Sequence, residues 1–448
     1  MTKYFCEGLW RKGRWQAKVL VETNDQGLVE SISHLEQAPN NSIKLGFVCP
    51  GFQNTHSHSF QYLMAGFTEK HRSNKQDFWS WRERMYALAN AIRPDDLYEI
   101  TKLCYQNMLR KGYLSVCEFH YLHFHEPNKH LKIQESFAAA IINAAKDVGI
   151  NLNLVPVYYE SSEFDKPALE EQQRFVFSDV RAYAKYIHRL HALENRFCKI
   201  GHGVHSVRAT MPQTVKTILN SRELPGRKHL HISEQKQEVD RFYNRFQKTP
   251  ISWFLENITE PCNLIHATHL EDGEITKLAK SIHHVVLCPT TEANLGDGIF
   301  PLQRYHREGG SWSIASDSNV VIEPGSELAL IDYSQRWLSN SRCPLALHNS
   351  KDFSEADIMY EHITREAERA SGFDTSVEIG SYLNILSFNS QHPLLADSSH
   401  RLNQIIFNPK ENYLTDVVIN GQHKKIANLG EDWLILKKLT DKYKNLLY

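Results

Sequence analysis

The chain lacks most of what would place it at a membrane, on a nucleic acid or in an oxidising compartment. Its 448 residues contain no run of about 18 apolar residues, so no segment reads as a bilayer-spanning helix. The opening residues Met1 to Gly8 lack the apolar core of a secretory leader. Excess charge is absent too. Lysine and arginine total 51 against 52 acidic residues, a formal net charge of −1. That balance argues against a generic nucleic-acid binder and offers no polybasic patch for a membrane surface. The eight cysteines, at 6, 49, 104, 117, 198, 262, 288 and 343, form no Cys-x-x-Cys pair. Neither a disulfide framework nor a thiolate zinc site is expected, and the pattern suits reduced thiols in a cytoplasmic protein. No Gly-x-Gly-x-x-Gly opens the first helix, which removes the usual dinucleotide reading. Internal repeats and low-complexity segments are also missing.

What is present is one rhythm, repeated from about residue 45 to 320: a short apolar run, a polar cluster, then an amphipathic stretch. The apolar runs predict strands at 47–54, 114–119, 152–159, 199–205, 229–233, 263–266, 284–289 and 311–317. Helical periodicity is clear at 95–109, where Leu97, Ile100, Leu103, Cys104 and Met108 recur at three-to-four spacing, and again at 133–145 and 212–219. Eight alternating βα units predict an α/β chain folded as a (β/α)8 TIM-like barrel, with an open doubly wound sheet as the alternative. The flanks read differently. Strand-like pieces at 15–21 and 28–32 near the start, and a strand and turn over 414–422, predict a small β-rich domain built from both chain ends. The expected division is 1–46 and 376–448 for the small domain and 47–375 for the barrel, with a terminal helix over 432–447.

Four predicted strands end in residues suited to a hydrolytic metal site. The sequence Asn54-Thr55-His56-Ser57-His58 follows the apolar run 45–50, and the period of two turns both imidazoles to one side. Strand five yields His231 and Glu234, strand six His266 and His269, and strand eight Asp317. In a (β/α)8 barrel the C-terminal strand ends converge on one face, so these distant residues would meet. Imidazoles with one carboxylate suit zinc or another borderline first-row ion. Each residue also has a structural reading: His231 and His269 as hydrogen-bonded core histidines, Glu234 as a solvated carboxylate at a helix start, Asp317 as an N-cap. With 24 histidines in the chain, the joint pattern is what favours the metal site.

The ordered set His-x-His, His-x-x-Glu, His and Asp resembles the amidohydrolase superfamily in its mononuclear deaminase branch. Strand four, Gly201 to Ser206, carries no bridging lysine of the binuclear branches. The segments 51–61, Phe78 to Glu83, Glu118 to Tyr121, His205 to Arg208, His231 to Gln235 and Cys288 to Gly298 narrow the likeness to the formimidoylglutamate deiminase family. The resemblance implies hydrolysis of N-formimidoyl-L-glutamate to N-formyl-L-glutamate and ammonia in histidine breakdown. It implies one divalent ion held by His56, His58, His231 and Asp317, zinc first, with iron(II) or manganese as alternatives. Such an ion would lower the pKa of bound water and supply hydroxide. Glu234 would shuttle the proton, His266 would stabilise the tetrahedral centre, and Asp317 could share in proton transfer. A small dicarboxylate substrate needs cations. Arg82 and Arg208 match the family motifs, with Gln61, Tyr121 and His205 completing the polar lining, whereas Arg84 lies outside the matched position and reads as ordinary surface pairing. A homodimer is also implied by resemblance. Two departures stand out: Asn319 replaces the family histidine after Asp317, and Ile379 to Ile385 replace a Gly-x-x-Ala-Asp pattern. Competing readings are a related deaminase acting on guanine or another heterocycle, a metal-dependent amide hydrolase, and a non-catalytic scaffold that keeps the barrel.

Overall fold

The structure, a computed structural model, describes residues 1–69, 78–124, 136–164, 166–346, 353–409, 413–430 and 432–447. Two sheets form its framework. Both chain ends contribute to a seven-stranded sheet in the spatial order Gln422–Lys425, Leu414–Ile419, Ile385–Phe388, Ile43–Pro50, Thr2–Arg11, Arg14–Thr23 and Val29–His34. Its buried face is β-branched and aliphatic, with Val19, Val21, Leu45, Val48, Ile385 and Val418 in one cluster.

The second sheet is the barrel. Its strands one to eight are Phe52–Ser57, Tyr113–His120, Asn151–Tyr158, His202–Ser206, Lys228–Ile232, Asn263–His266, His284–Leu287 and Trp312–Ile314, neighbours in chain order and parallel throughout. Strands two and three are buried at every residue, as strands covered on both faces must be. Strand one closes onto strand eight: Thr55 Oγ1 donates to Ile314 O at 2.8 Å, the Asp317 N–H to His56 O at 3.0 Å and the His58 N–H to Asp317 O at 2.9 Å. This closure sets the open doubly wound sheet aside.

Several elements sit differently from their sequence reading. The run 45–50 belongs to the small sheet, and the chain breaks at Pro50-Gly51 before entering barrel strand one. Gly51 is needed at this crossing, because a Cβ there would lie 2.2 Å from Leu114 Cδ1. The strand Ile43–Pro50 runs across the expected 46/47 division, and barrel strand one begins at Phe52. The predicted strand 199–205 is two pieces, Cys198–Ile200 and His202–Ser206, parted at Gly201. Strand eight stops at Ile314, leaving Ser316 to Asn319 as an irregular loop. The helix expected over 133–145 is Phe137–Val148, started by Ser136, whose side chain accepts from the Ala139 N–H; residues 133–135 lie outside the described residues. The terminal helix Trp433–Leu447 packs on the barrel helices Phe78–Ala91 and Pro94–Arg110, with Tyr443 and Lys442 both bonded to Asp96.

The segment 379–385 stitches the two sheets together. The Val29 N–H donates to Ser381 O at 2.9 Å, the Gly51 N–H to Asn384 O at 3.1 Å, and Asn384 Oδ1 accepts from the Asn420 N–H at 2.9 Å. All eight cysteines are unpaired, seven of them buried. Among the described residues no helix is long and apolar enough to cross a membrane.

Candidate active site

The ends of strands one, five and eight deliver the predicted ligands to one point. His56 Nε2 lies 3.2 Å from His58 Nε2, 3.0 Å from His231 Nε2 and 3.2 Å from Asp317 Oδ1, and His58 Nε2 lies 3.3 Å from the same carboxylate oxygen. All four side chains are buried. Burial, reinforced by neighbouring imidazoles, holds His56 and His231 well below the usual histidine range and brings His58 down to about 3. Neutral imidazoles keep their lone pairs for a Lewis acid. Three such nitrogens facing one another beside a carboxylate form a donor set that fits a divalent ion. The rings are also oriented from behind: His58 Nδ1 contacts Phe119 O at 3.0 Å, and the Phe119 ring packs at 4.5 Å from His231 and 4.9 Å from His56.

Backbone strain gathers at the ends of strands five, six and eight. Ser233, His266, Ala267, Asp317 and Asn319 all have positive φ, five of the ten such non-glycine residues among those described. Left-handed conformations cost on the order of 1–3 kcal/mol each and recur where side chains must be aimed. Asn319, in place of the family histidine, is a clasp. Its Nδ2 donates to Ser57 Oγ at 3.2 Å and His58 O at 3.0 Å, while its Oδ1 accepts from Ser316 Oγ at 2.6 Å. It ties the loop of Asp317 to the loop of the two histidines.

Beside the ligands stand two acid–base candidates. His266 Nε2 is 3.8 Å from both Glu234 Oε1 and Asp317 Oδ2. Burial disfavours its charge, but the bond to Glu292 and the charges of Glu234 and Asp317 win, raising its pKa to about 10. Glu234 is itself buried, not solvated, and its second oxygen is 3.7 Å from Arg208 Nη2.

The ends of strands one, two and four and the helix Phe78–Ala91 supply the other half of the pocket. Gln61, Arg82, Tyr121, His205 and Arg208 all line it together with His58, His231, Glu234, His266 and Asp317. Gln61 Nε2 donates to the Tyr121 hydroxyl at 3.0 Å, and Arg208 Nη1 donates to Glu238 Oε2 at 3.2 Å. His205 is kept neutral by burial and by the Arg208 charge. Arg84 and His269 are not on the pocket wall; Arg84 donates to Thr68 O at 3.1 Å.

Sequence reasoning assigned no role to Glu292, Glu238 or Glu118. Glu292 Oε1 takes His266 Nδ1 at 3.2 Å and the Cys288 N–H at 2.9 Å. Glu238 joins Arg208 to the Ser233 N–H. Glu118 accepts from the Ser59 N–H at 2.6 Å, Ser59 Oγ at 2.7 Å and the Tyr105 hydroxyl at 3.0 Å, fixing the turn after His58. Glu292 and Glu118 lie inside the matched segments, which was the available signal; Glu238 had none.

The chain is similar to known proteins along almost its whole length. The amidohydrolase family model matches residues 47–424. A formimidoylglutamate deiminase from Pseudomonas aeruginosa is 32% identical over 429 residues, covering 94% of each chain. An amidohydrolase from Brucella melitensis superposes with a TM-score of 0.90 at 29% identity, covering all of both chains. An adenosine deaminase from Xanthomonas campestris, solved with bound zinc, shares the fold with a TM-score of 0.78 at 18% identity over the whole of this chain and 98% of that one. The scaffold reading is thereby set aside: the chain is a hydrolase of the amidohydrolase family, related along almost its whole length to formimidoylglutamate deiminase.

Proposed function

We propose that this hydrolase converts N-formimidoyl-L-glutamate and water to N-formyl-L-glutamate and ammonia. The observation that carries the reading is the meeting, in one pocket, of a hydrolytic donor set with two arginines, Arg82 and Arg208. Guanidinium groups bind carboxylates through paired hydrogen bonds, which suits a dicarboxylate better than a neutral purine. The name of the Pseudomonas relative supports the same substrate.

His56, His58, His231 and Asp317 would hold one divalent ion, zinc in preference to iron(II) or manganese(II), since three imidazoles and one carboxylate suit a borderline ion. When bound, the ion supplies acidity to a water in the site. Glu234 takes one proton from the attacking water as its oxygen bonds to the formimidoyl carbon. It returns that proton to the terminal nitrogen. Asp317 accepts the remaining hydroxyl proton as the carbonyl forms, and passing it to the same nitrogen completes ammonia as the carbon–nitrogen bond breaks. His266, held charged, hydrogen-bonds the attacking oxygen and stabilises the tetrahedral carbon. Arg82 and Arg208 anchor the carboxylates, with Gln61, Tyr121 and His205 orienting the chain between them.

Ammonia release from N-formimidoyl-L-glutamate, with guanine in parallel, tests the reading. Release from the amidine alone supports it, whereas release from guanine alone replaces it with the heterocycle reading. The homodimer implied by resemblance is a separate matter for light scattering.

A further inference from the structure

Behind the two arginines lies a hydrogen-bond triad that the mechanism above does not use. Gln172 is fully buried, and the Leu169 N–H donates to its Oε1 at 2.8 Å. That bond fixes which end of the amide is oxygen. Its Nε2 therefore donates both protons outward, to the Tyr86 and Tyr159 hydroxyls at 2.8 Å each. The two phenol oxygens stand 3.3 Å apart.

Proton counting then decides the direction. Each hydroxyl carries one proton and already accepts from Gln172. Only one of the two protons can bridge the pair, so the other has no acceptor among the described residues. Stranding a buried donor is costly, whereas a donor at a ligand pocket is free to meet a ligand. Tyr86 lines the pocket, and Tyr159 stands outside its wall. The favourable arrangement has Tyr159 donating to Tyr86 and Tyr86 donating into the pocket. Both arginines frame that point. Arg82, one helical turn before Tyr86, has its guanidinium 5.6 Å from the Tyr86 ring, and Arg208 lines the same pocket.

We propose that Tyr86 is a carboxylate-binding residue, the third donor beside Arg82 and Arg208, with Tyr159 and Gln172 positioning its hydroxyl. The inference rests on the dicarboxylate reading of this same pocket. It makes the subsite donor-only on its phenol and guanidinium side, which favours a carboxylate over its carboxamide, because an amide NH2 placed there would face another donor.

The test is a set of steady-state and binding measurements on the metal-loaded protein. Tyr86→Phe keeps the ring and should raise KM for N-formimidoyl-L-glutamate about tenfold or more, with kcat within about twofold, as loss of a bond to a charged group predicts. Tyr159→Phe leaves the Tyr86 proton in place and should raise KM only a few-fold. Gln172→Glu turns the donor into an acceptor and should match Tyr86→Phe alone, yet add nothing in the Tyr86→Phe background. One of the two monoamides of the substrate should bind wild type and Tyr86→Phe alike. Glutarate binding by calorimetry reads the subsite without turnover, and Tyr86→Phe should weaken it about tenfold. An unchanged KM and glutarate affinity in Tyr86→Phe overturns the proposal, as does a fall in kcat with KM constant. Wild type that binds glutarate without deiminating the substrate overturns the reaction instead and leaves the subsite standing.

Discussion

His266 Nδ1 lies 3.2 Å from Glu292 Oε1, so a carboxylate from the helix after strand seven sets both the tilt and the charge of the histidine at the end of strand six. The opposite ring nitrogen is thereby turned toward Glu234 and Asp317. Glu292→Gln should fold normally, because the amide can still accept from the Cys288 N–H. It should lower kcat by about 10- to 100-fold, as loss of an orienting partner does in metal sites. Steady-state kinetics beside circular dichroism check this; a wild-type kcat would remove Glu292 from the account.

Asn319 bridges the two ligand loops through three hydrogen bonds. Asn319→Ala should cost about 1–3 kcal/mol in urea unfolding, since buried partners lose their bonds. It should also weaken metal retention, because Asp317 and His58 lose their common tie. Stability within experimental error of wild type would contradict the clasp.

Glu118 offers a pH signature. Burial, only partly offset by the bonds from Ser59 and Tyr105, lifts its pKa from 4.5 to about 7. A carboxyl whose folded pKa is raised binds its proton more tightly in the native state. Its contribution is therefore full below about pH 4.5 and is lost as pH rises through about 7. Relative to Glu118→Gln, wild type should lose stability between pH 5 and pH 8, at roughly 1.4 kcal/mol per pH unit at most. Unfolding curves at the two pH values check the difference, and parallel profiles would contradict it.

Metal content gives a direct count. The purified chain should bind one divalent ion, and His231→Ala or Asp317→Asn should empty the site. Chelation should lower the melting temperature of wild type but not of those variants, because a ligand of the native state adds about 2.7 kcal/mol at a hundredfold excess over its Kd. Inductively coupled plasma mass spectrometry and thermal scans decide this.

The parts of the fold that were legible in the sequence are those governed by local periodicity. The helices Pro94–Arg110 and Pro212–Leu219 and the ligand-bearing strand ends follow from spacing alone, because the barrel topology brings all C-terminal ends together. The helix Phe78–Ala91 carries Arg82, whose place in the pocket came only through resemblance. What failed did so where a strand changes partners. Residues 47–54 read as one apolar run, yet pairing moves from the small sheet to the barrel at Gly51; the Pro50-Gly51 pair was the available signal of a break. Glu118, Glu238 and Glu292 were missed for another reason. A buried carboxylate satisfied by backbone amides, hydroxyls or an arginine has the same letter as a solvated one, and only tertiary packing tells them apart. Asn319 read as a lost histidine because its value lies in a left-handed backbone and three partners distant in sequence.

The most direct measurement is the simultaneous quantification of N-formyl-L-glutamate and ammonia produced from N-formimidoyl-L-glutamate by the metal-loaded protein and by its Glu234→Gln variant. The account predicts equimolar products from wild type and a kcat lower by about 100-fold or more in the variant, whose metal content stays at one per chain. Equal rates in both proteins, or no turnover by wild type with one metal bound, would contradict it.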